Sequence, residues 1–338
     1  MTHAYIKLIE FYLPEKIETN DDLIKENPDW NIQKISSKTG IKQRHIAAID
    51  ETSLDMAVKV GNIFFEKNPK TKDEIDYLIF CTQSPDYFLP TSACIVQNKL
   101  GLNNHIGAID VNQGCSGFVY SIGLAKGLIE SKQASNVLLI TSETYSKFIN
   151  KSDKSVRTLF GDGSACTLIS STNKKELFIS PVLHGTDGSG AKDLIVTDGG
   201  LRSPINNKSF IETEDENGNI RSKSNLFMNG KAVYSFTLNK IPDFFKKVLK
   251  FNNVELKDID LFIFHQANQF IIDSLQKKLK IKESKIHRSY ENIGNTVSST
   301  IPIGIKLEMN SKKTSKTKKA LILGFGVGLS WAGTVITF

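Results

Sequence analysis

The sequence predicts an α/β fold made of two similar halves, and two observations carry that reading. First, short apolar runs rich in β-formers alternate with amphipathic stretches, the pattern of largely buried sheets. Second, the chain repeats itself. EIDYLIFCTQ (74–83) and DIDLFIFHQA (258–267) share Ile75/Ile259, Asp76/Asp260, Ile79/Ile263 and Phe80/Phe264 at an offset of 184. The same offset sets VLLI (137–140) against LILG (321–324), and the helical start after Cys115 against one near Ser299. A chain of 338 residues can bury a large core, and 40% hydrophobic with 23% charged residues argues against disorder, collagen and coiled coil.

In chain order, the amphipathic stretch 53–67 reads as a helix and IDYLIFCT (75–82) as a buried strand. A helix over 91–100 follows, then one over 116–131 with Phe118, Ile122, Ala125 and Ile129 on one face. NVLLITSE (136–143) and ACTLIS (165–170) read as strands. GTDGSGAKD (185–193), DGG (198–200) and ETEDENGN (212–219) are polar and turn-rich. A helix over 236–250, the strand DLFIFHQ (260–266), helices over 268–279 and 297–309, and the strand ALILGFGVG (320–328) complete the chain. The repeat divides it into an N-terminal half, 1–175, and a C-terminal half, 228–338, with 176–227 as an inserted loop or flap.

MTHAYIKLIEFYLPEK lacks the pattern of a signal peptide, and no window approaches a membrane span. Four cysteines (81, 94, 115, 166) fit reduced thiols, hence a cytoplasmic protein. The net charge of +7 is spread over many lysines. The densest run, Lys312, Lys313, Lys316, Lys318 and Lys319, reads as a solvated loop; it lacks the aromatics or motif of a nucleic-acid site, and an acidic protein partner stays open.

Four places could carry chemistry. Cys115, bracketed by Gly114 and Gly117, stands where a helix begins, a setting that favours the thiolate. Its bland alternative is a small packing residue, the reading adopted for Cys81, Cys94 and Cys166. His265 ends an apolar strand and is followed by Gln266 and Asn268; it is either a core histidine or a site residue at a strand end. Asn295 follows an Ile-Gly turn and precedes a helix, so it is either an N-cap or a functional amide. The glycines of GFGVG (324–328) let backbone N–H groups approach a ligand, which suits half of an oxyanion hole. The six histidines show no paired ligand spacing and there is no CxxC, so no metal site is expected.

TGIKQRHIAAIDETS (39–53), GCSGF (114–118), FGDGSA (160–165), HQAN (265–268), IGNTVSSTIPI (293–303) and GFGVGLSWAG (324–333) together resemble the β-ketoacyl-ACP synthase III family of the thiolase-like superfamily. The order Cys, His, Asn, with 30 residues from His265 to Asn295, fits as well. The resemblance implies a thiolase-like fold of two halves in a five-layered α-β-α-β-α sandwich. It also implies a catalytic set of Cys115, His265 and Asn295, an oxyanion hole from the backbone N–H groups of Cys115 and Val327, and a supporting role for Asn268. The implied reaction acylates Cys115 from an acyl-CoA. A decarboxylative Claisen condensation with malonyl-ACP follows, without a cofactor beyond CoA and acyl carrier protein thioesters. Trp30 would either stack on the CoA adenine or pack in the core, and Lys38 is a further substrate-binding candidate. Leu89, with Phe88, lies in a segment that crosses a homodimer and lends a residue to the partner's acyl pocket.

Some positions depart from the housekeeping pattern. Gln113 replaces a small residue beside the nucleophile, and Gln269 and Phe270 stand where a docking Arg is usual. Phe270 is then a substrate-side candidate, and Lys277 and Lys278 are the candidates for docking the acidic carrier protein. These departures bear on the substrate more than on the reaction. Two other readings remain: an acyltransferase on the same fold that moves the acyl group to an alcohol or amine, with His265 as base, and a non-catalytic partner subunit of a heteromeric synthase.

Overall fold

The computed structural model describes residues 2–311 and 318–338. The strand Asn136–Glu143 shows how the sequence builds it. Val137 and Leu139 join one apolar cluster, while Leu138 and Ile140 join another on the opposite face. A strand alternates its side chains, so a run that is apolar at every position needs cover on both faces. Leu261–Phe264 and Lys319–Gly326 obey the same rule. Leu261, Ile263, Ala320 and Ile322 face the cluster that holds Val137, whereas Phe262, Phe264, Leu321 and Leu323 face an outer one.

Two sheets result. The first runs His3–Tyr12, Gly163–Thr172, Asn136–Glu143, Tyr77–Cys81, Gly107–Val111, with the last three parallel and the other pairings antiparallel. The second runs Leu183–Thr186, Ser330–Thr337, Lys319–Gly326, Leu261–Phe264, with the same sequence of senses. A parallel bridge from Phe262 to Ile286 stands where a fifth strand would pair. The offset of 184 seen in the sequence is therefore a repeat of topology. Helices Gly117–Glu130 and Thr300–Asn310 lie between the sheets and supply Phe118, Ile122, Ile301 and Ile305 to the shared core. Ser53–Lys67 and Ser92–Lys99 cover the outer face of the first sheet; Gly230–Phe251 and Gln269–Leu279 cover that of the second. This is the α-β-α-β-α sandwich.

Four strands of the main sheets had no clear signal, nor did the short strands of the two-stranded ones. His3–Tyr12 carries Lys7 and Glu10 and shifts register between Ile6 and Leu8. Gly107–Val111 is a short edge strand with no buried residue, and Ser330–Thr337 mixes small and polar residues. Leu183–Thr186 pairs with Ser330–Thr337, so part of the stretch read as flap belongs to the second sheet. The rest of that stretch is pinned by Arg221, which reaches Asp153 at 2.6 Å and Asp215 at 2.8 Å. Two further expectations are corrected. Cys94 is exposed on its helix and is not a packing residue. Lys318 is not free in solvent but pairs with Glu308 at 2.9 Å, and Lys319 opens a strand. Lys312, Lys313 and Lys316 lie outside the described residues.

Candidate active site

Cys115 sits two residues before the central helix Gly117–Glu130 and is 4% exposed. The backbone of the Lys319–Gly326 strand presses on it. A side chain at Gly326 would put its Cβ 2.7 Å from Cys115 Cβ and 2.8 Å from Sγ. The N–H groups of Val327 and of Cys115 itself lie against the sulfur and draw the thiol pKa down. Burial is the larger effect and, with the nearby Glu143, pushes the thiol up to about 12. The position before a helix therefore does not give a resting thiolate: desolvation in an apolar cavity outweighs the helix dipole.

His265 follows directly on the strand Leu261–Phe264 and is held there by its N–H, which donates to Leu323 O at 2.8 Å. The ring stands edge-on to Phe325, centroids 6.0 Å apart at 89°. Nδ1 lies 2.8 Å from Thr300 Oγ1. Burial drives the imidazole down to about 3 against a backbone bond to Val297, so the ring is neutral at rest.

Asn295 enters from a turn anchored by Asn295 N–H to Leu159 O at 2.9 Å and Gly161 N–H to Asn295 O at 3.0 Å. Gly294 before it has φ +78°, and a Cβ there would meet Arg44 Cβ at 2.9 Å, so the turn needs glycine. The Asn295 Oδ1 accepts from Val297 N–H at 2.9 Å. That bond fixes the amide with Nδ2 as its free donor; Nδ2 has no protein acceptor among the described residues.

The three side chains meet in one cavity of about 100 Å³, lined also by Phe325, Gly326 and Asn268. Leu194, Met228, Val233 and Tyr234 close its other side. Asn268 caps the helix Gln269–Leu279, its Oδ1 accepting from Ile271 N–H at 3.0 Å. Phe270 is half exposed and stacks on the cavity residue Tyr234 at 4.8 Å and 20°. Trp30 is half-buried and Lys38 exposed, and neither lines the cavity. Leu89, 82% exposed, does not line it either. Lys277 is exposed, whereas Lys278 donates to Leu238 O at 2.7 Å. The motifs did not single out Phe325, Thr300 or the cavity wall from 194–234. Phe325 lay unassigned inside GFGVG; the wall residues come from separate segments with no shared spacing. Among the described residues no group of three or more His, Cys, Asp or Glu could hold a metal ion. No described helix is long and apolar enough to cross a membrane.

The cavity can therefore offer a buried thiol, two backbone N–H groups beside it, and the imidazole and amide of His265 and Asn295 in its lining. Comparison with known proteins gives the family. The family model described as 3-oxoacyl-[acyl-carrier-protein (ACP)] synthase III matches residues 109–188, and that of its C-terminal part matches 249–338. The chain is 36% identical over 337 residues to a β-ketoacyl-[acyl-carrier-protein] synthase III of Sulfurovum sp. (strain NBC37-1), covering 99% of this chain and 96% of the relative. A crystal structure of a 3-oxoacyl-(acyl-carrier-protein) synthase III superposes with a TM-score of 0.96 at 45% identity, covering 99% of this chain and 100% of the other. A 3-oxoacyl-(acyl-carrier protein) synthase from Burkholderia xenovorans LB400 gives 0.90 at 30% identity, covering 100% and 95%. The chain belongs to the β-ketoacyl-[acyl-carrier-protein] synthase III family, thiolase-like condensing enzymes that transfer acyl groups.

Proposed function

We propose that the cavity runs two half-reactions, and the convergence of Cys115, His265 and Asn295 on it is the observation that carries this. In the first, an acyl-CoA enters and Cys115 Sγ adds to its thioester carbonyl. The backbone N–H groups of Cys115 and Val327 hold the tetrahedral oxyanion. The C–S bond to CoA breaks, and the proton of Cys115 passes to the departing CoA sulfur. In the second, malonyl-ACP enters. Its C–CO₂ bond breaks, and the electron pair moves onto the thioester oxygen as an enolate held by His265 Nε2–H and Asn295 Nδ2–H. The enolate carbon attacks the acyl carbonyl on Cys115. The thiolate leaves and takes a proton from solvent, releasing a β-ketoacyl thioester.

A neutral, buried thiol and imidazole suit this division. No ion pair has to be separated before the substrate arrives, and burial strengthens each donor once an oxyanion forms. The apolar wall fits an acyl-pantetheine chain. The exposed Lys277, in the last turn of the helix that Asn268 caps, is the freer of the two docking candidates, because Lys278 is tied to Leu238.

The test separates the halves. Intact-protein mass spectrometry with a panel of acyl-CoAs should show an adduct on wild type and none on Cys115→Ala. His265→Ala and Asn295→Ala should still acylate but lose condensation by on the order of 10²–10³-fold. Normal condensation by His265→Ala would overturn the assigned roles, and no adduct with any thioester would overturn the reaction.

A further inference from the structure

We propose that Thr300 is a positioning residue: its hydroxyl donates to His265 Nδ1 and so keeps the ring's proton on Nε2. The inference rests on the condensation chemistry above, in which Nε2 must donate to an oxyanion.

Thr300 Oγ1 is the side-chain partner of Nδ1, at 2.8 Å, and the backbone of Val297 stands against the ring. A carbonyl can only accept. Without a donor at Nδ1 nothing holds the proton on Nε2, and a ring protonated at Nδ1 presents a bare lone pair at Nε2, which repels an enolate oxygen. A hydroxyl can donate, and so permits the opposite tautomer.

Thr300 has one hydroxyl hydrogen and two takers, Nδ1 and Val297 O, the latter at 3.0 Å. Val297 O also accepts from the backbone N–H of Thr300. Turning the hydroxyl to Nδ1 therefore leaves no buried carbonyl without a partner, and the choice costs little. Burial closes the other route to a donor at Nε2. With the ring driven down to about 3, a second proton is not available at neutral pH, so the tautomer decides.

The local backbone is built around this contact. Thr300 is 3% exposed and opens the central helix Thr300–Asn310. Val297 is a β-branched residue at φ 53°, a strained conformation. In that conformation its N–H orients Asn295, and its C=O faces Thr300 and His265. One strained residue thus serves both donors, and Thr300 decides which nitrogen of His265 does the donating.

The experiment compares wild type, Thr300→Val and Thr300→Ser. Acylation is read by intact mass with acetyl-CoA, and decarboxylation by CO₂ release from malonyl-ACP. We expect Thr300→Val to acylate within a few-fold of wild type and to lose decarboxylation by on the order of 10²-fold. Thr300→Ser should recover most of the rate. Wild-type decarboxylation by Thr300→Val, an equal loss of both half-reactions, or no recovery in Thr300→Ser would each overturn the proposal. If Thr300→Val does not fold, ¹⁵N-histidine NMR of the wild type decides: a protonated Nε2 and bare Nδ1 on His265 support it, and the reverse overturns it. A wild type that acylates but never decarboxylates a malonyl thioester would instead overturn the reaction proposed above.

Discussion

Gly326 has no side chain because Cys115 occupies the space. A methyl there would stand 2.8 Å from the nucleophilic sulfur, well inside contact. Gly326→Ala should therefore displace the thiol, costing about 1–3 kcal/mol of stability as an overpacked core does. Acylation should fall by at least ~10-fold, since small misplacements of a reacting atom are costly. Retention of normal acylation in the mass assay would show that Cys115 can retreat without penalty. The sequence pointed to this glycine-rich segment for its backbone donors, to Cys115 at a helix start, to His265 at a strand end, and to Asn295 between a turn and a helix. It could not show Phe325 against His265, or the burial that raises one pKa and lowers the other. Both depend on which strands become neighbours, and that is decided across the two halves.

The strand Asn136–Glu143 ends in a carboxyl that no sequence pattern marked. Glu143 is fully buried and is met by Gln83 N–H at 3.1 Å, Ser298 Oγ at 2.9 Å and Ser84 Oγ at 3.2 Å. Ser298 belongs to the turn that carries Asn295, so this strand end ties the two halves together behind the cavity. Burial nevertheless pushes Glu143 up to about 8, the donors pulling the other way. A folded pKa raised above the unfolded one gives stability that is complete below the unfolded value and is lost as pH rises through the folded value. From about pH 4.5 to 8 this group should remove up to ~1.4 kcal/mol per pH unit. Urea unfolding across that window should show the decline, and Glu143→Gln should flatten it. An unchanged slope in the variant would place the titration elsewhere. The strands themselves were legible where both faces are buried, as in VLLI, and illegible where one face is polar, as in His3–Tyr12. Periodicity reports burial, and a half-polar strand with a register shift resembles a loop.

At the scale of the molecule, one edge is left open. Gly107–Val111 ends the five-stranded sheet and has no strand on its outer side among the described residues. Beside it runs a loop with Tyr87, Phe88 and Leu89 exposed at 60%, 79% and 82%. The loop is fixed to that edge, because Asp110 accepts the N–H groups of Ser92 and Ala93 at 2.7 Å each. An unpaired edge beside three large exposed apolar side chains invites a partner, and a two-fold pairing of like edges satisfies both at once. We therefore expect a homodimer in which the Gly107–Val111 edges meet and the Phe88–Leu89 loop reaches into the other copy. Burying two such side chains is worth about 1.5–3 kcal/mol each. The double variant Phe88→Asp, Leu89→Asp should then weaken association by more than ~100-fold and sediment as a monomer at micromolar concentration. Loss of acylation by longer acyl-CoAs ahead of acetyl-CoA would place the loop in the partner's acyl pocket. A wild type that sediments as a monomer at all concentrations would refute the pairing and leave the exposed loop to another partner.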